Sequence, residues 1–206
     1  FISLHFDLCG QPISGTYIFL RTYDELVTTY TFREIYSDVF IPLLKQIGYL
    51  WQIGTISPAH EQFITTLVKQ KLYINIEKLQ HEEQLKKDKV FVLFLPNEEA
   101  HDIGLFYINY ELLSLGYKVI FLGQSLPKKD LSLFTAMFDQ TVFISYLTVK
   151  PVDVKAYIEE VQDHIEEGKS EYWLIGRRVK DLIDNAYEFP KHIKAYKDIS
   201  TMILNL

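Results

Sequence analysis

Residues 90–104, VFVLFLPNEEAHDIG, decide the fold. The opening VFVLFL is apolar throughout, with no polar alternation, and is too short for a buried helix. It predicts a strand covered on both faces. Pro96 and Asn97 break the run. Helical spacing then takes over across 98–115 and stops at Gly116, a residue suited to the left-handed turn after a helix.

The same alternation repeats downstream. Strands are predicted at 118–122, 142–147, 172–175 and 187–189. Helices are predicted at 127–138, at 152–167 ending on Gly168, at 179–185, and after Pro190. Strands alternating with helices give an α/β architecture, a flavodoxin- or Rossmann-like, doubly wound parallel sheet of five strands with right-handed crossovers.

Upstream the pattern is helical. Residues 81–89, HEEQLKKDK, carry charge without Gly or Pro and read as a frayed helix end and linker. Phe32, Ile35, Tyr36, Val39, Phe40, Leu43, Leu44, Ile47 and Leu50 recur at three- and four-residue steps, the buried stripe of a long helix bent near Pro42. Ser57 suits an N-cap and Pro58 a first helical position. Phe63, Ile64, Leu67, Val68, Leu72 and Ile76 continue that helix. Gln11 to Gly15 reads as a loop. The expected organisation is a small helical bundle over 1–80, a linker over 81–89 and a sheet domain over 90–206.

Composition narrows the function classes. The chain has 206 residues with 21 Lys+Arg against 27 Asp+Glu, a net charge of −6, which argues against this segment gripping a nucleic-acid backbone. The single cysteine, Cys9, excludes an internal disulfide and a Cys-rich zinc site, and fits a reducing cytoplasm. No apolar run reaches the ~18 residues of a membrane span, and no signal peptide is visible, so no membrane partner is expected. The chain opens at Phe1 rather than Met and reads as a segment of a longer protein.

In an open parallel sheet, ligands bind beyond the carboxyl ends of the strands, where strand order reverses. The first and third strand-end loops flank that point in flavodoxin-like order, placing His101 and Ser145 on one rim with Gly176 beside them. Glu99, two residues before His101, can accept a hydrogen bond from one ring nitrogen and leave the other as a metal ligand or base. Gly104 lets a bulky group approach the helix backbone. The plainer alternative is a surface histidine capping a helix. There is no GxGxxG, GxxxxGK[ST] or GxSxG, which removes dinucleotides, nucleoside triphosphates and a nucleophile elbow. A phospho-receiver is disfavoured because Ser145 and Tyr146, not an Asp, end the third strand. Trp51 is either core or an aromatic lid over a planar ligand. His60 and Glu61 read as a solvated first turn, with Glu61 complementing the helix dipole.

Four patches together resemble a known family. Glu99-Ala100-His101-Asp102-Ile103-Gly104 is similar to the cobalamin signature DxHxxG with Glu leading, Ser145-Tyr146-Leu147 to the SxL that follows it, and Gly176-Arg177 to its GG. Trp51 with Glu61-Gln62 resembles the W-x9-EH motif of the helical cap. This set marks the cobalamin-dependent regulators of the MerR type, the CarH-like photoreceptors. The resemblance implies a four-helix bundle over a Rossmann-like domain with the corrin between them. It makes His101 the lower axial ligand of cobalt and Glu99 its partner. Ser145, Leu147 and Gly176 would line the channel for the nucleotide tail, and Trp51 and Glu61 would face an adenosyl or methyl upper ligand.

It also implies a homo-oligomer that reaches DNA only through an N-terminal helix-turn-helix domain outside this chain. The departures are Arg177 for the second Gly, Gln62 for the His of EH, and Gln52 where light-sensing relatives carry a His. Three functions follow from the resemblance: a non-enzymatic cobalamin sensor, a corrinoid carrier for methyl transfer, and a module that has lost the cofactor and only binds other proteins.

Overall fold

The computed structural model describes residues 12–165 and 168–206; Cys9, Gln11 and the 166–167 end of one expected helix lie outside them. The chain divides into two compact units, with the boundary between Asn75 and Ile76.

The first unit is helical. Helix α1 runs Pro12–Leu26, α2 Phe32–Ile35, α3 Ile41–Gln52 and α4 Pro58–Gln80. The loop expected up to Gly15 is therefore helix from Pro12 onward, because proline suits a first turn that needs no N–H. At Gly15, α1 passes beside α4: a Cβ there would make an ordinary 3.5 Å contact with the Phe63 ring. Thr31 caps α2 in a reciprocal capping box with Glu34. The expected long helix is interrupted by a π-turn at Tyr36–Phe40, just ahead of Pro42. The widened turn absorbs the hydrogen bond that Pro42 cannot make. Phe19, Tyr23, Phe32 and Tyr36 pack their rings around Phe40, and Ile47, Val68 and Leu72 complete the core.

The second unit is a five-stranded, all-parallel sheet in the order β2-β1-β3-β4-β5. The strands are β1 Lys86–Phe94, β2 Tyr117–Gly123, β3 Thr141–Tyr146, β4 Ser170–Ile175 and β5 Ile193–Tyr196. Strand β1 alternates perfectly. Val90, Val92 and Phe94 face one core with α6 (Leu131–Met137), α7 (Val154–Gln162) and α8 (Arg177–Asp184). Phe91, Leu93 and Leu95 face the other with α5 (Ile103–Ser114) and α9 (Ile199–Ile203). Both faces are dry, which is why the strand reads as an unbroken apolar run.

Several boundaries differ from expectation; the helix expected over 152–167, for one, is Val154–Gln162. Strand β1 begins at Lys86, inside the expected linker, where Lys86 places its ammonium 4.2 Å from the centre of the Tyr117 ring. Long aliphatic stems let such lysines start a strand at a sheet margin. Residues 187–189 are not a strand: Tyr187 and Phe189 pack on the core from a turn ahead of Pro190, and β5 follows later. The helix expected from residue 98 begins only at Ile103, because Glu98 takes a φ of +68° and the stretch to Asp102 is loop.

Candidate functional site at the carboxyl ends of the sheet

Strand order reverses between β1 and β3, and the loops after these two strands are tied together by one carboxylate. Glu99 is 1% exposed. Its Oε2 accepts three backbone N–H bonds from the β3–α7 loop: Thr148 at 3.0 Å, Val149 at 2.7 Å and Lys150 at 2.8 Å. Its Oε1 accepts the His101 backbone N–H at 2.9 Å and lies 2.6 Å from His101 Nδ1. Burial pushes the Glu99 carboxyl up, but the N–H donors of Lys150, Val149 and His101 and the His101 ring outweigh it and hold the group below the ordinary carboxylate range.

An ionised carboxylate on Nδ1 makes that nitrogen the donor, and in the neutral ring the lone pair is then on Nε2. The His101 side chain is 55% exposed, so the ring is held from behind by Glu99 and open in front. Gln124, the residue after β2, donates to Asp102 Oδ2 at 2.8 Å and to the Ala100 carbonyl at 3.1 Å, bracing the same loop from the other side.

The two glycines serve the protein's own packing. A Cβ on Gly104 would fall 2.8 Å from the Tyr146 ring, so the bulky group admitted there is Tyr146. Gly176 has φ +111°, and a Cβ on it would fall 2.4 Å from the Leu147 carbonyl oxygen.

Ser145 and Leu147 are each 0% exposed. Ser145 Oγ donates to the Phe94 carbonyl at 2.7 Å and accepts from the Tyr172 hydroxyl at 2.8 Å. Tyr172 thereby uses its one proton, so Tyr157, 2.9 Å away, must donate to Tyr172. Burial drives the Tyr172 hydroxyl well above its ordinary pKa, with Tyr157 and Ser145 as its neighbours. The Tyr172 ring stacks on Phe94 at 5.6 Å. Tyr157 also walls a cleft of about 330 Å3 at the rim, with Pro96, Glu98, Leu126, Lys128 and Glu160.

Sequence reasoning did not single out the Thr148–Lys150 amides, Gln124, Tyr146, Tyr157 or Tyr172. Backbone amides carry no side-chain signal, and Tyr172 lies 25 residues beyond Leu147 and is brought to Ser145 only by the pairing of β3 with β4. Arg177 is exposed on the first turn of α8.

In the helical unit, Trp51 is 45% exposed at the end of α3, which removes the core reading. Glu61 is half-buried and Gln62 exposed on the first turns of α4. His60 is not merely solvated: its Nδ1 lies 2.8 Å from Ser57 Oγ.

Residues 19–74 match the family model described as the B12 binding domain. Over 108 residues the chain is 32% identical to the HTH-type transcriptional repressor CarH of Myxococcus xanthus, a match spanning 52% of this chain and 35% of that protein. The chain resembles a CarH-like cobalamin-binding region. The monomethylamine corrinoid protein of Methanosarcina barkeri has the same fold, with a TM-score of 0.72 at 12% identity over 89% of this chain and 86% of that one. Cobalamin binding is supported by these likenesses. Among the described residues no helix is long and apolar enough to cross a membrane.

Against a cobalamin, the donor set divides. The Glu99–His101 pair fits an axial cobalt ligand: an imidazole with Nδ1 bonded to a buried carboxylate and a side chain more than half exposed. Ser145, Leu147 and Gly176 do not offer an open tail channel, because each is buried and its polar or empty space is already used by the protein.

Proposed function

We propose that this chain is the cobalamin-binding sensory region of a MerR-type transcriptional regulator, with His101 as lower axial ligand and Glu99 as its positioning residue. When bound, the cofactor supplies a cobalt ion with one axial site for an imidazole nitrogen and the other for an adenosyl or methyl group. The observation that carries the reading is the His101 ring, anchored at Nδ1 by a buried carboxylate and exposed at the switch point.

Glu99 selects the tautomer and turns the ring. The three amides of the β3–α7 loop keep Glu99 ionised and fixed. A change at His101 is therefore carried into both loops that flank the reversal of strand order. The exposed Trp51 and the half-buried Glu61 are the cap residues that would meet the upper ligand. Cofactor binding would shift a homo-oligomer equilibrium and so control DNA contact by a helix-turn-helix domain outside this chain. The net charge of −6 accords with DNA contact lying elsewhere.

The carrier reading rests on the fold alone, whereas the regulator reading has sequence identity behind it. The test is a titration with diaquocobinamide, which carries no nitrogenous base of its own, followed by gel filtration. Co-elution of the red cofactor and a visible spectral shift, with nitrogen hyperfine splitting in the reduced cobalt(II) state, are expected for the native chain. Loss of the splitting is expected in His101→Ala. An unchanged spectrum at micromolar cofactor would sink the proposal.

A further inference from the structure

The rim of the sheet is ready for a cobalt ligand, but the core beside it is already full. Four groups form one hydrogen-bonded file: Tyr157 donates to Tyr172, Tyr172 to Ser145, and Ser145 to the carbonyl of Phe94, each at 2.7–2.9 Å. All four residues are buried, and Phe94 and Tyr172 are each 0% exposed with their rings stacked at an interplanar angle of 11°. The file begins at the wall of the rim cleft, where Tyr157 stands with the Lys128–Glu160 ion pair, and runs inward to the serine. The serine hydroxyl spends its proton on Phe94 and accepts from Tyr172, so a heterocyclic base arriving there finds no donor. The space opened by Gly176 is taken by the Leu147 backbone.

Resting on the reading of His101 given above, we propose that this chain selects corrinoids without a lower nucleotide, the cobinamide class. The nucleotide loop of a complete cobalamin is kept out of the sheet by the tyrosine file. Accommodating that loop would require expelling the Tyr172 ring from a stacked, fully hydrogen-bonded site. A cobinamide needs only the rim and the His101 Nε2.

The experiment titrates the purified chain with diaquocobinamide and with aquacobalamin, reading visible spectra. The native chain is expected to bind the cobinamide at least about tenfold more tightly. Competition by the cofactor's own base could give part of such a difference, so a second arm isolates the file. Tyr172→Ala should tighten aquacobalamin and leave cobinamide unchanged, narrowing the ratio. Tyr172→Phe, which keeps the ring, should leave the ratio as in the native chain.

If Tyr172→Ala does not fold, as judged by circular dichroism, Tyr157→Ala takes its place at the cleft wall with the same expected narrowing. Equal or tighter binding of aquacobalamin by the native chain would overturn the inference while leaving the role of His101 intact. So would a folded opening variant with an unaltered ratio. Binding of neither corrinoid would overturn both.

Discussion

The rim and the floor of the same sheet end use the same materials in opposite ways. At the rim, Glu99 accepts five hydrogen bonds from two loops, and the imidazole it holds still presents an unused nitrogen outward. On the floor, Tyr157, Tyr172 and Ser145 hand their protons along a closed file that ends on a backbone carbonyl. One arrangement stores capacity for a ligand. The other uses its capacity on itself and converts it into rigidity. A polar cluster is therefore a candidate binding site only where an unspent donor or lone pair faces an opening.

The contrast is broken most severely at Tyr172. Tyr172→Ala deletes a fully buried ring stacked on Phe94 and strips Ser145 of a donor. A loss of about 3–5 kcal/mol in folding free energy is expected, measured by chemical denaturation. Tyr172→Phe keeps the ring and should cost about 1 kcal/mol. If the two variants were equally destabilised, the hydroxyl file rather than the packing would carry the floor.

Next in size is the anchor. Glu99→Gln keeps the shape but removes the charge that four backbone amides and the imidazole address. The expected loss is about 2 kcal/mol near neutral pH. The sign of its pH dependence follows from a folded-state pKa below the unfolded one. The native advantage over Glu99→Gln is complete above the unfolded value of about 4.3, and fades as pH falls through the lower folded value. Denaturation curves of both proteins across the acid range should converge. Curves that stay parallel would mean the carboxylate is not ionised in the fold.

Gly104→Ala is expected to cost about 1–3 kcal/mol, because the added methyl must displace the Tyr146 ring from the first turn of α5. Thermal melting would register it. A neutral result would show that Tyr146 has room to move, and that the glycine serves an incoming group after all.

How far these features were legible depended on where each signal lives. Strand β1 and the Glu99–His101 pair could be read because hydrophobic periodicity and short sequence spacing are local. The alternation of strands and helices gave a parallel doubly wound sheet, and the structure has the flavodoxin-like one of its two common orders, 2-1-3-4-5, with the reversal point between β1 and β3. The amides of Thr148, Val149 and Lys150 were invisible, since every residue but proline has one. The tyrosine file was hidden for a different reason. In SEYWLI, Tyr172 reads as one more strand residue, and only the fold brings it against Ser145 and Tyr157. The start of β1 was obscured by lysines whose stems lie over aromatic rings. The fifth strand was misplaced because an aromatic pair packed on the core imitates a strand.

His101→Ala should have the smallest effect on folding and the clearest effect on binding. Its side chain is largely exposed, and the backbone N–H of residue 101 still reaches Glu99 when the ring is gone. Stability should change by less than about 1 kcal/mol. Corrinoid affinity should fall by at least about ten- to a hundredfold, since losing the ligand should cost no less than losing its supporting partner. Calorimetry with and without cofactor separates these effects: the ligand-induced rise in melting temperature should vanish while the apo melting temperature stays put. A variant that melts early without cofactor would make the ring a structural strut between the two loops. One that keeps the full cofactor-induced rise would move the cobalt ligand away from this rim.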